Sequence, residues 1–343
     1  MSTKTVNHPQ RDTALAVLPK ERFAALLKSE KVPTPALLVL LAIAVVMVFI
    51  NPLFLSGGNL RAIAEQSAVP VTVAVGLTFV ILMGSIDLSL AGTMAATSMT
   101  TALLLSNDTN NLDFGFWAIP AGCLIGAALG LLAGVSVTRL RVPSFIVTIG
   151  TWQIGLGIGL LLFGGKPPRI LDDSVRALFN SNAAWLPGAV WISVLVVLFG
   201  AFLQLRTRFG RYSFVIGGNE EIATLSGVNV KNYRMLAFVL AGATAGLGAV
   251  MATARTGVGD VGTGGDLLFT TIAGIVIGGT LLTGGRGGVF HSIVGVIVIV
   301  TIANAMVLGG VSSYIQQAVQ GAVVVIAAAI SLWGARKRLR VIK

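Results

Sequence analysis

From residue 36 to residue 333 the chain is a series of long apolar runs broken at charges and turn residues. Placing the breaks there predicts ten spans, over 36–50, 59–83, 87–106, 115–137, 144–163, 189–205, 234–253, 266–282, 288–308 and 314–333. A helix needs about 20 residues to cross the hydrocarbon, within a range of about 17–25, so the ends of the shorter runs are soft. The pattern is that of an all-α polytopic membrane protein. Gly126, Gly130 and Gly134 recur every four residues in one span, and Gly155 and Gly159 do so in the next. Such small-residue faces let helix backbones approach closely in lipid, which implies a compact bundle rather than an open pore. A short echo links the two halves: an apolar run, a polar tip and a second apolar run occur around Gly84-Ser-Ile-Asp and again around Gly284-Gly-Arg-Gly-Gly. Internal repeats are common in transporters, but here the register is lost beyond the tips.

One stretch, 206–234, breaks the apolar pattern for 29 residues and carries Arg206, Arg208, Arg211, Lys231 and Arg234 against Glu220 and Glu221. A small helix is marked inside it. Asn219 is a good N-cap, because its side-chain oxygen accepts a backbone N–H of the first turn. Glu220 and Glu221 place negative charge at the positive end of the helix dipole. Gly227 supplies the left-handed residue that stops the helix, and Gly217-Gly218 permits a sharp turn before it. Two readings are open: a capped surface helix in a solvated loop, or a docking helix on which an intracellular partner pushes.

Composition supports the membrane reading. The 343 residues are 55% hydrophobic and 11% charged, with a mean hydropathy of +0.89, against about 25% charged in soluble domains. The formal charge of +11 is unevenly placed. With the N-terminus inside, 19 of the 24 basic residues fall in segments facing the cytoplasm, as the positive-inside rule requires. Arg61, Lys166, Arg169, Arg176 and Arg255 remain on the other side, among most of the acids. An even number of spans with both termini cytoplasmic fits, and the basic excess faces anionic lipid rather than nucleic acid. Residues 1–35 form an N-terminal tail in which Phe23, Leu26 and Leu27 suit a short amphipathic helix on the inner leaflet. Residues 334–343 form a basic C-terminal tail. The first apolar run begins only near Ala36 after this charged tail, so no cleavable signal peptide is expected. Cys123 is the single cysteine and His8 and His291 lie far apart, which excludes a disulfide and predicts no metal site.

Motifs for chemistry are sparse. Gly257-Val-Gly-Asp-Val-Gly262 formally fits G-x-G-x-x-G, but a dinucleotide site needs a strand and a βαβ unit, and a tight loop between membrane helices is the better reading. No G-x-x-x-x-G-K-[ST] occurs, so the chain has no Walker A loop for ATP. Asp87 interrupts an otherwise uncharged stretch between Glu65 and Asp108. A carboxylate at mid-bilayer costs about 2.5–3.5 kcal/mol and marks a site by default. Its spacing equally suits a hairpin tip at the inner surface, where Ser85 or Asp87 would cap the next helix or act in gating. Thr151, Trp152, Gln153, Asn304, Tyr314, Gln316, Gln317 and Gln320 could meet a hydroxylated solute, since amides both donate and accept and an aromatic face covers apolar C–H groups. Each of them also suits an interhelical hydrogen bond. A secondary transporter acting alone would need intramembrane coupling carboxylates, and Asp87 is the one candidate.

Several motifs together carry a family resemblance: Asn51-Pro-Leu-Phe, Gly84-Ser-Ile-Asp-Leu-Ser, Val142-Pro-Ser-Phe-Ile-Val-Thr-Ile-Gly-Thr151, Thr207-Arg-Phe-Gly-Arg211, Gly217-Gly-Asn-Glu-Glu-Ile-Ala-Thr-Leu-Ser-Gly227, Gly278-Gly-Thr-Leu-Leu-Thr-Gly-Gly285 and the run at Asn304. In this order the chain resembles bacterial ABC permeases of the ribose/xylose/galactose type over residues 36–333. Ser85, where the family usually has a second glycine, and Leu90-Ala91 before Gly92 depart from its pattern. The resemblance implies a ten-helix importer bundle in the inner membrane, paired as a homodimer. Its partners would be a cytoplasmic ATPase subunit, which holds ATP and Mg, and a periplasmic sugar-binding protein. The chain itself would bind no cofactor and be no enzyme. It also implies that 206–234 is the ATPase-coupling loop, with Asn219, Glu220, Glu221, Gly227 and Arg211 as its residues. Related permeases carry branched-chain amino acids or nucleosides, so these remain alternative cargoes.

Overall fold

The computed structural model describes residues 33–312 and scattered positions from 314 to 329. The tail helix expected at Phe23, Leu26 and Leu27, the basic C-terminal tail, Gln317 and Gln320 lie outside the described residues.

Nine of the ten predicted spans form helices close to where hydropathy places them, and most of the tenth, 314–333, lies outside the described residues. In chain order these are α1 (Thr34–Ile50), α2 (Gly57–Leu82), α3 (Leu90–Leu104), α4 (Ala118–Thr138) and α5 (Ser144–Phe163). After α6 (Asp173–Asn180) and a small hairpin of β1 (Asn182–Ala183) and β2 (Leu186–Pro187) comes α7 (Gly188–Arg206). Then follow α8 (Arg208–Gly218), α9 (Glu220–Leu225), α10 (Val230–Thr256), α11 (Thr263–Ile277) and α12 (Val289–Leu308). Among the described residues six helices are long and apolar enough to cross a membrane, and α1, α3 and α11 are shorter apolar helices.

The shortness of α3 and α11 corrects two predicted spans. Each has 15 residues, so at 1.5 Å per residue each covers roughly 22 Å, less than the hydrocarbon thickness of about 30 Å. Of the predicted 87–106, residues 87–89 and 105–106 are non-helical, and of 266–282, residues 278–282; the loops that replace them run over 83–89 before α3 and 278–288 after α11. These are the two tips that echo each other in sequence, and they touch: the Gly285 N–H donates to the Leu82 carbonyl at 2.9 Å. The polar side chains of these tips are covered by protein: Ser85, Asp87, Ser89 and Thr280 are all buried.

The core is built on α2, buried without interruption from Ser67 to Leu82 and packed by α7, α10 and α12. α3 packs against α4, α5, α10 and α11. Glycines set the closest approaches. A Cβ on Gly126 would lie 2.1 Å from the Gly242 carbonyl oxygen of α10, and one on Gly155 would lie 2.5 Å from the backbone of Gly92 in α3. The helices therefore meet backbone to backbone, where dispersion and not hydrophobicity holds them in lipid.

Cross-contacts divide the bundle into two ends. At one, Asn107 bridges to Ile170 and Arg169 to Val258, while Arg255 pairs with Glu65 at 3.6 Å and Lys166 with Asp108 at 2.7 Å. Arg61, on the first turns of α2, donates to Asn182 of the small hairpin at the same end. At the other end lie the tips 83–89 and 278–288, the α4–α5 connection with Arg139 and Arg141, and the segment α8–α9. α6 is a further helix that hydropathy did not reveal: Asp172 caps it by accepting from Ser174 and Val175, and Val175 and Phe179 anchor it in the core.

Candidate functional site

The basic stretch 206–234 is more ordered than its charge suggests. Thr207 caps α8, its hydroxyl accepting from the Gly210 N–H. Gly210, Ser213 and Ile216 form the buried face of α8. The Phe209 ring lies 5.0 Å from that of Phe79 of α2, tilted at 45°, and Tyr212 meets Tyr233 edge-on at 4.9 Å. Gly217-Gly218 is thus the last turn of a helix and not a bend ahead of the cap. The missing side chain at Gly217 has a packing role, because a Cβ there would lie 1.8 Å from the Leu82 carbonyl oxygen and 2.5 Å from Gly285 N.

One residue later α9 begins. Asn219 accepts from the Ile222 N–H at 3.0 Å, and Gly227 has φ +79° just past the end. Of its six residues, Ala223 faces inward with no exposure, whereas Ile222 and Leu225 are 57% and 82% exposed. Glu221 and Arg211 are exposed as well. The exposed pair Ile222 and Leu225 did not stand out in sequence, since two apolar residues in a polar loop carry no periodicity.

Glu220 points back toward the bundle. Its carboxylate accepts from both terminal nitrogens of Arg234, at 2.7 and 3.2 Å, and that guanidinium holds its pKa below the usual carboxylate range. Arg234, on the first turns of α10, also donates to the Met83 carbonyl at 3.3 Å. Beyond Met83 the tip of the α2–α3 hairpin is tightly tied. Asp87 Oδ1 accepts from the Ser89 N–H at 2.8 Å and the Ser89 hydroxyl at 2.6 Å, and the Ile86 N–H donates to Ser144 at the start of α5 at 3.2 Å.

This corrects the expected cap. Neither Ser85 nor Asp87 caps α3, whose N-cap residue is Ser89 with no side-chain cap bond. Asp87 closes an Asx turn two residues long, because Gly84 at φ +71° turns the chain before the helix starts. Its second oxygen, Oδ2, is buried with no protein partner. Between the hairpin, the α4–α5 connection and α9–α10 lies a cavity of about 550 Å³ lined by Ser85, Arg141, Ser144, Glu220, Lys231 and Arg234, among others.

The residues expected along a substrate path are not brought together. Thr151 is buried and donates to the Val147 carbonyl, Trp152 is half-buried with its backbone against Gly92, and Gln153 is exposed. All three lie on α5, which packs on α3 and α4, whereas Asn304 lies on α12, which packs on α1, α2, α7 and α11. The Asn304 amide donates to and accepts from Asn59, in a reciprocal pair at 2.9 and 3.0 Å. Gln316 donates to the Val311 carbonyl at 2.7 Å.

Residues 59–328 match the family described as branched-chain amino acid transport system / permease component. The chain is 33% identical over 296 residues to the ribose import permease protein RbsC of Escherichia coli strain K12, covering 85% of this chain and 90% of that one. It is 34% identical over 277 residues to the D-allose transport system permease protein AlsC of the same strain, covering 81% and 84%. The probable ABC transporter permease protein YphD, also of that strain, is 33% identical over 296 residues, 85% and 87% of the two chains. No solved structure matches.

Proposed function

The chain belongs to the family of branched-chain amino acid transport system permease components, and on that footing we propose that it is the membrane subunit of an ATP-binding-cassette importer for a monosaccharide. It resides in the bacterial inner membrane as a multi-pass protein. The similarity to permeases named for ribose and allose supports a sugar cargo over an amino acid or a nucleoside. The sugar arrives on a periplasmic binding protein, and ATP with Mg is hydrolysed by a separate cytoplasmic subunit.

In this reading the end carrying α8 and α9 faces the cytoplasm. The excess of Arg and Lys there supports that orientation, with anionic lipid as their neighbour. Ten spans, a cytoplasmic C-terminus and a second copy of the permease complete the importer. The observation that carries the coupling role is α9 itself. It is capped at both ends, fixed to the bundle through Ala223 and Glu220, and presents Ile222 and Leu225 outward. A short helix is marginal alone in water, so a partner groove that covers those two side chains would both stabilise it and push on it.

The test is Ile222→Asp and Leu225→Asp in cells that also express the ATPase and the binding protein. Normal permease levels, loss of ATPase co-purification and loss of sugar uptake are expected. Undiminished ATPase binding would remove α9 from the docking surface, and uptake of leucine in place of a pentose or hexose would overturn the cargo.

A further inference from the structure

We propose that Arg234 is the positioning residue that links α9 to the α2–α3 hairpin, delivering movement of the docking helix to residues 83–89 through one guanidinium. The inference rests on the docking role of α9 and adds where the displacement goes.

α9 packs chiefly on α8 and α10. The α8 side is anchored, because Gly217 lies against Leu82 and Gly285 with no space to yield. Displacement of α9 therefore turns on the single residue Asn219 and is felt on its other side, at Glu220. There the side chain of Arg234 spans the gap between Glu220 and Met83. Met83 is the C-cap of α2, so its carbonyl lies at the negative end of that helix, where a cation binds best. From Met83 the chain runs straight into the tip, held by the bonds of Asp87 to Ser89 and of Ile86 to Ser144. A pull on Met83 is thus shared with the start of α5.

The chemistry selects arginine. A planar guanidinium donates to a carboxylate with two nitrogens and keeps a donor for a carbonyl, whereas a lysine ammonium is a point charge without that fork. The Arg234 side chain is 17% exposed, so solvent competes little for its bond to the Met83 carbonyl, whereas the Glu220 carboxylate is 55% exposed and its ion pair is open to water. The Glu220 carboxylate, already lowered by Arg234, stays ionised at neutral pH.

Three variants test the link in proteoliposomes with the ATPase, the binding protein and sugar: R234M, R234K and the exchange E220R/R234E. The readouts are ATPase co-purification, ATP hydrolysis and sugar delivered per ATP. With R234M, association and hydrolysis should persist while sugar per ATP falls about tenfold, the weight of a charged hydrogen bond; R234K should fall between this and wild type. The exchange restores an ion pair with α9 but places a carboxylate, which cannot donate, against the Met83 carbonyl, so its sugar per ATP should remain low. Recovery to the wild-type ratio would show that the ion pair alone matters and would overturn the link. Should R234M fail to accumulate, R234K decides: a normal ratio overturns the proposal and a reduced one supports it. Leu225→Asp separates the two readings. If it keeps the ATPase bound, the docking reading fails; if it releases the ATPase while R234M transports normally, only the link fails.

Discussion

Replacing Asn304 by alanine separates a cargo contact from a structural tie. In the folded bundle the Asn59 and Asn304 amides bond to each other twice, and the Asn59 Nδ2 also donates to the Phe54 carbonyl at 2.9 Å. The pair joins the first turn of α2 to α12, and Asn51 adds a bond to the Leu308 carbonyl nearby. Side-chain hydrogen bonds between membrane helices contribute about 0.6 kcal/mol on average and up to about 1.7, so the reciprocal pair contributes roughly 1–3 kcal/mol. Asn304→Ala also leaves Asn59 Oδ1 without its donor in a half-buried site, a loss in the same range of about 1–3 kcal/mol. These overlap, and a total near 2 kcal/mol is expected. Asn59→Ala should cost a similar amount. The double variant should be only slightly worse than either single one, because the second substitution removes a partner already lost. Reversible unfolding in mixed detergent measures these differences. Uptake per folded permease, at saturating sugar-loaded binding protein, should stay near wild type in all three. Stability that is unchanged in Asn304→Ala, together with a fall in uptake, would refute the tie and return Asn304 to the substrate path.

Other outcomes follow from single contacts. Asp87→Asn should retain folding and most transport, since Asn keeps the acceptor for Ser89 and replaces an oxygen that has no protein partner; Asp87→Leu should lower the yield of folded permease, and equal loss in both would make the charge itself essential. Gly126→Ala places a Cβ 2.1 Å from a carbonyl oxygen and should destabilise the bundle by about 1–3 kcal/mol. Gly150→Ala, with nothing within 4 Å, should be neutral or stabilise α5 by up to about 1 kcal/mol, and a common sign in thermal unfolding would refute the packing argument. At the opposite end, the bond from Lys166 holds Asp108 at about 2, below its usual 3.8. A depressed carboxyl stabilises above its unfolded pKa and loses that contribution as pH falls through the folded one. The tie of residues 105–117 to 164–172 should therefore persist above pH 3.8 and weaken toward pH 2, read as proteolytic cleavage of the loops. Lys166→Met should move that weakening to higher pH.

The apolar runs by themselves determined where helices form. A backbone in lipid must satisfy its own hydrogen bonds, so a long apolar run has few alternatives to a helix; α5 follows its predicted limits, and α7 and α12 theirs to within a residue. The cap at Asn219 and the stop at Gly227 were legible for a similar reason, because capping joins residues two to four positions apart. α8 was hidden: its inward stripe of Phe209, Ser213 and Ile216 is interleaved with Arg208 and Arg211, and only the facing surface of Phe79 and Tyr233 makes that stripe a core.

Only the tertiary structure decided what the scattered polar residues do. Asn59 and Asn304 are 245 positions apart, and no local pattern pairs them. Asp87 resembled a helix cap until the turn at Gly84 placed its carboxylate on Ser89 alone. Gly217 read as part of a sharp turn before a cap until α2 and the 278–288 loop filled the space beside it. Arg234 was one of five cations in a basic stretch, and the Met83 carbonyl, 151 positions away, sets it apart from the other four. Helices are fixed by neighbours in sequence, whereas hydrogen bonds and close approaches between them depend on which faces meet. That choice belongs to the packed bundle.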